Sequence, residues 1–122
     1  MTRFRAPWKV APTVLLCVIV RVLPAQQTPY ERAFELERRG SYAQAADGYR
    51  KILVAKPAEL NALLGLERVL HELGKPTELA PAATAAVNAD AKNPVLYGVA
   101  VRAWSAAGQP DSVRRIVDRW AA

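Results

Sequence analysis

Leu36-Glu37-Arg38-Arg39-Gly40-Ser41-Tyr42-Ala43-Gln44-Ala45-Ala46 is the stretch on which the fold turns. A charged run stops at a glycine, and an apolar run of small residues starts just beyond it. A helix that must end abruptly needs a residue in the left-handed region, where a side chain is strained and glycine is not. The same punctuation returns at Gly74 and Gly108, 34 residues apart each time. Other offsets agree with it. Leu36, Leu70 and Trp104 stand four residues before the three glycines. Five, nine and twelve residues after them stand Ala45, Tyr49 and Ile52, then Leu79, Ala83 and Ala86, then Val113, Val117 and Trp120. Those offsets are i, i+4 and i+7 on a helix, so each glycine opens a helix with one apolar stripe. Leu63 and Tyr97 share a further offset, which Pro29 occupies in the first unit.

Helix starts follow the same plan. Thr28-Pro29-Tyr30-Glu31 places Thr at the N-cap, Pro at N1 and Glu at N3, a capping-box pattern. Asn93-Pro94 repeats the order of cap and proline, and Lys56-Pro57-Ala58-Glu59 supplies a proline and an acid. Gly74-Lys75-Pro76-Thr77-Glu78 and Gly108-Gln109-Pro110-Asp111 put proline and a carboxylate into a first turn, where the helix dipole favours negative charge. No stretch alternates as a strand does, and the expected fold class is all-α.

The residues now resemble the tetratricopeptide repeat (TPR) family, whose helix–turn–helix unit is 34 residues long. Gly40-Ser41-Tyr42-Ala43-Gln44-Ala45 is similar to that family's Gly-x-Tyr-x-x-Ala core, with Tyr49 and Pro57 following where the family has an aromatic residue and a closing proline. The resemblance implies a solenoid of about three repeats over residues 26–59, 60–93 and 94–122. Repeats two and three depart from the pattern. Proline takes an aromatic position at Pro76 and Pro110, and Glu67 stands where a small residue is usual. Pro81 falls inside the second helix of repeat two. An interior proline costs about 3 kcal/mol, so that helix is expected to kink or to begin late, near Pro81.

The resemblance also implies a concave groove lined by the first helix of each repeat. Its groove positions are Gln27, Tyr30, Phe34, Glu37 and Arg38, then Asn61, Leu64, Arg68, His71 and Glu72, then Val95, Gly98, Arg102 and Ser105. The core of this peptide-binding expectation is Tyr30, Phe34, Asn61, Leu64, Arg68, His71 and Arg102. Arg68 and Arg102 share one offset, so both guanidiniums are expected in one channel with Asn61 nearby, gripping backbone carbonyls or carboxylates. The alternative is that both arginines are simply solvated. The basic carboxylate clamp of chaperone-binding members is not reproduced.

Residues 1–25 are different in kind. Arg3, Arg5 and Lys9 precede an apolar run from Val10 to Val20, and Leu23-Pro24-Ala25 leads into Gln26. That order describes a secretory signal peptide cleaved after Ala25, with an uncleaved membrane anchor as the alternative. The run is short of the 20 or so apolar residues of a membrane span. Leu16 before Cys17 argues against a lipoprotein site. The segment holds four of the 17 basic residues and no acid, so the chain's charge of +6 falls to +2 over residues 26–122, 13 basic against 11 acidic. That balance speaks against nucleic acid as a partner. The only cysteine, Cys17, belongs to the leader, which leaves the remainder without disulfide or thiol chemistry.

Catalytic constellations are not found. One histidine, His71, has no second histidine or cysteine beside it with which to build a metal site or a nucleophile pair. No catalytic residue, cofactor or metal is therefore expected. The expected function is an exported, periplasmic or secreted scaffold of a bacterial envelope that binds a protein or peptide partner. Contact with a membrane is expected only through an uncleaved leader. Alternatives are an accessory, non-catalytic segment of an envelope enzyme and a membrane-tethered structural subunit. Part of the stripe Val113, Val117 and Trp120 on the last helix would ordinarily be covered by a further repeat, so an exposed apolar edge is expected there, closed by self-association or by a partner. The alternatives are that Trp120 folds back onto its own repeat or that the sequence is part of a longer array.

Overall fold

Local signals set several of the helix ends in the computed structural model, which describes residues 26–122. Helix α1 (Pro29–Arg38) starts from a complete capping box. The Glu31 N–H donates to Thr28 Oγ1 at 3.1 Å, and the Thr28 N–H donates to Glu31 Oε2 at 3.0 Å. Helices α2 (Tyr42–Ala55) and α3 (Leu60–Glu72) follow, then a 3-10 turn (Pro76–Leu79), α4 (Ala80–Ala89), α5 (Pro94–Ala106) and α6 (Pro110–Ala121). The described residues are all-helical, with no strand among them. The leader expected over residues 1–25 lies outside the described residues. No helix among the described residues is long and apolar enough to cross a membrane.

Gly40, Gly74 and Gly108 are the only described residues with positive φ, at 78°, 68° and 66°. Each closes a helix with the same pair of bonds. The Ser41, Lys75 and Gln109 N–H groups reach back to the carbonyls of Leu36, Leu70 and Trp104 at 2.9, 2.8 and 3.1 Å. The glycine N–H groups donate to Glu37, His71 and Ser105, each at 3.0 Å. This is the Schellman arrangement, repeated three times with the period of the sequence.

Packing runs along the chain, α1 on α2, α2 on α3, α4 on α5 and α5 on α6. The middle unit breaks the pattern. Its second helix begins late, as Pro81 requires, with the proline in the first turn of α4 and the 3-10 turn ahead of it. The 3-10 turn packs on both α3 and α5 and takes the place beside α3 that α4 would otherwise hold. Glu67 explains part of this. In the first unit the equivalent residue is Ala33, so close to Gly48 that a Cβ on Gly48 would lie 3.0 Å from the Ala33 Cβ. Glu67 forbids that approach between α3 and α4.

The core is continuous. Tyr49, Leu63, Leu66, Leu70, Leu96, Val69, Val87 and Val99 are its largest fully buried side chains. The stripe expected on α2 is buried at Ala45 and Tyr49 and half-buried at Ile52, and the one at Leu79, Ala83 and Ala86 is fully buried. The stripe expected on α6 is not. Val113 is half-buried, Val117 and Trp120 are 43% and 51% exposed, and the buried face carries Ser112 and Ile116 instead. The helices equivalent to α6 are covered on that side by α3 and α5, whereas α6 packs mainly on α5, with Arg119 Nη1 also donating to Asn88 Oδ1 on α4 at 2.6 Å.

Candidate functional site

The C-terminal halves of α1, α3 and α5 enclose a concavity of about 610 Å³. Helix α1 contributes Phe34, Glu37 and Arg38, helix α3 contributes Glu67, Arg68, His71 and Glu72, and α5 contributes Arg102, Ala103 and Ala106. Tyr42, Pro76 and Leu79 complete the wall. Four of the seven core groove residues named from sequence meet here: Phe34, Arg68, His71 and Arg102. The other three do not. Tyr30 and Asn61 border a second hollow of about 670 Å³ between the start of α1 and the end of α2, with Arg32, Lys51, Lys56 and Glu59 around it. Leu64 is half-buried against the core and lines neither hollow. Asn61 is thus not beside the two arginines, because it sits on the first turn of α3 and Arg68 on the third.

Neither arginine is simply solvated, and neither is an unclaimed grip for a carboxylate. Arg68 Nε donates to Glu37 Oε1 at 2.7 Å and Nη2 donates to Oε2 at 3.0 Å. Arg102 repeats this on Glu67, with 2.8 Å from Nε and 2.9 Å from Nη2. Both pairs are two-pronged and join one odd-numbered helix to the next. The acids stand at different offsets, a helical turn apart. The first unit has Ala33 where the second has Glu67, so Arg68 reaches on to Glu37; the second has His71 where the first has Glu37, so Arg102 stops at Glu67.

The Glu37 carboxylate is the more deeply held. Its side chain is only 15% exposed, and its Oε2 also accepts the Tyr49 hydroxyl at 2.5 Å. Burial pushes the Glu37 carboxyl up. The bonds from Arg68 and Tyr49, with the Arg68 charge, outweigh that and hold it below the usual carboxylate range. Burial first, then the neighbouring carboxylate, pushes the Tyr49 phenol well above its ordinary value. The Glu37 bond holds Arg68 still more firmly protonated, and the Glu67 bond does the same for Arg102. Tyr30 supports this cluster from behind, stacked on Phe34 at 6.1 Å and tilted against Tyr49 at 5.9 Å.

Sequence reasoning missed Glu67, which stood out as a packing anomaly and not as a partner for Arg102. The available signal was an acid on the same helix face one unit before each arginine. His71 is exposed on the rim beside Glu72, and no group of three metal-ligating side chains occurs among the described residues. The concavity can therefore offer donors, apolar contact and shape. Compared with known proteins, the chain matches no family model, no curated protein and no solved structure.

Proposed function

We propose that this chain is an interaction scaffold, a TPR-like helical solenoid of about three repeats that receives a polypeptide segment in the concavity between α1, α3 and α5. The observation that carries the reading is the meeting of Phe34, Arg68, His71 and Arg102, from three different units, on one hollow of about 610 Å³. Half-exposed Phe34 gives a partner an apolar anchor, and the guanidiniums give it fixed donors. The leader-like residues 1–25 support export to a bacterial envelope as its place of action. N-terminal mass spectrometry of the exported protein tests that part, since a chain beginning at Gln26 agrees with cleavage and an intact Met1 opposes it.

Binding is tested on an array of immobilised peptides probed with the full chain. Phe34→Asp and His71→Asp should each weaken captured peptides about tenfold or more. Val54→Asp, at an 85% exposed position on α2 away from the hollow, should not. Equal binding by all three variants would place the partner on another surface.

A further inference from the structure

Resting on that reading of the groove, the geometry points to the class of ligand it takes: an uncharged polypeptide segment held by its main-chain carbonyls, with acidic segments disfavoured. A guanidinium has five N–H donors. Arg68 and Arg102 each spend Nε and Nη2 on a glutamate; Arg68 also has the Tyr30 hydroxyl beside it, whereas Nη1 of Arg102 makes no bond among the described residues. In Arg102 that Nη1 lies over Gly98, 3.8 Å from where a Cβ would stand, so no side chain there screens it. The groove thus holds oriented N–H donors whose charge is already answered.

An incoming carboxylate would meet Glu37 or Glu67 within reach of the same guanidinium. A two-pronged grip would displace the existing pair, and even a single bond at Nη1 would set a second anion beside the first. Like charges set together are what specificity is commonly built from. A carbonyl oxygen takes an Nη1 N–H without disturbing the pair. Basic segments fare no better, because the Glu37 carboxylate already accepts three bonds and Glu67 two. The wall as a whole is balanced, with Arg38, Arg68 and Arg102 against Glu37, Glu67 and Glu72. The accessible apolar part of the wall is Phe34 and Ala106 with half-buried Tyr42, which suits small apolar side chains.

The test uses the full chain and two pools of end-blocked, dye-labelled peptides of about ten residues. One pool is uncharged and rich in Ala, Val, Thr and Asn, and the other carries Asp at alternate positions. Fluorescence anisotropy should show the uncharged pool binding at least about tenfold tighter, with a Kd that moves less than about twofold between about 50 and 500 mM salt. The double variant Glu37→Gln/Glu67→Gln unmasks both guanidiniums. It should bind the acidic pool about tenfold tighter than the native chain does, and lose that gain in salt. Circular dichroism shows whether that variant is folded, and the native salt series reads the same proposal without it. Tighter binding of the acidic pool by the native chain, or a steep salt dependence, overturns the ligand class and leaves the groove standing. No saturable binding of either pool overturns the groove reading and the ligand class together.

Discussion

The seam between α2 and α3 and the seam between α4 and α5 hold the same place in successive units, yet they are filled from opposite sides. In the first, the large residue is Tyr49 on α2, and α3 makes room with Gly65. A Cβ on Gly65 would lie 2.4 Å from the Tyr49 ring. One period later the equivalent residues are Ala83 and Val99, both fully buried, and the larger side chain has moved to the later helix. Polar support differs in the same way. Tyr49 is tied to Glu37 and through it to Arg68, whereas α4 is tied to α5 by Trp104 Nε1 donating to Thr84 Oγ1 at 2.9 Å. Across these two seams the 34-residue period dictates where burial falls, and leaves open which partner supplies the volume. Packing requires only that the sum fit.

The comparison breaks most sharply at Gly65. Gly65→Val should destabilise the chain by about 3 kcal/mol, the upper end for overpacking, because Tyr49 is fully buried and tethered at its hydroxyl. Writing the second seam's pair into the first, as Tyr49→Ala/Gly65→Val, should recover part of that loss. Urea melts of the two variants check it, and a double variant weaker than Gly65→Val would mean that the two seams are not interchangeable solutions.

The ion pairs give the next contrast. Glu37→Gln should cost about 1–2 kcal/mol, since it weakens bonds to both Tyr49 and Arg68. Glu67→Gln should cost about 0.5 kcal/mol or less, because Arg102 is 56% exposed and screened by water. Acid adds a sign to this. The folded-state pKa of Glu37 lies below its unfolded value, so its contribution is present above the unfolded pKa and is lost as pH falls through the folded one. Stability of the native chain should therefore drop further below about pH 4 than that of Glu37→Gln. Acid titrations of the two check this, and equal losses in both would show that the acid loss is unrelated to Glu37.

Between seams that differ stand turns that do not. A Cβ at Gly40, Gly74 or Gly108 would meet nothing within 4 Å, so only the left-handed backbone is at stake. Alanine at any of the three should cost about 1 kcal/mol, with near-equal values in denaturant melts. A marked inequality would show that one of these turns carries more than its own geometry.

These turns were fully legible in the sequence, because a Schellman end leaves a glycine and an apolar residue at fixed spacing. The late start of α4 was one of the two outcomes that Pro81 left open, a kink being the other, and the structure takes the late start. The site was legible in part. Phe34, Arg68, His71 and Arg102 fell on the right helix face, where 34 residues return the chain to the same direction. The glutamates that answer the arginines did not fall on one offset, and a strict period is blind to a partner that shifts by a turn. Asn61 and Tyr30 line a different hollow, because a shared face does not mean a shared depth along the helix. The swap at Tyr49 and Gly65 was written in the sequence as large with small, then small with large, but only a contact says that those positions face each other.

A small effect is also expected at α6. Trp120 stacks on Tyr97 with ring centroids 5.9 Å apart and planes 12° from parallel, yet half of it is exposed. A stack of this kind is worth about 1 kcal/mol, and Trp120→Ala should cost no more than that in a urea melt. The native Tyr49 seam, by contrast, loses most when it is overfilled, so truncation at the edge and insertion at the centre bracket the molecule's tolerance. The exposed face of Trp120 adjoins Val117, and the two form an apolar strip between Arg114 and Arg119. Two exposed apolar side chains side by side can be covered by a second surface. We propose that it associates with a second copy of the chain, weakly and in a concentration-dependent way. Light scattering of the native chain should then show a rising mass at high micromolar concentration, and Trp120→Glu should abolish the rise while moving the melt by less than about 1 kcal/mol. A native chain that stays monomeric there, indistinguishable from Trp120→Glu, would leave the Tyr97 stack as the whole role of Trp120.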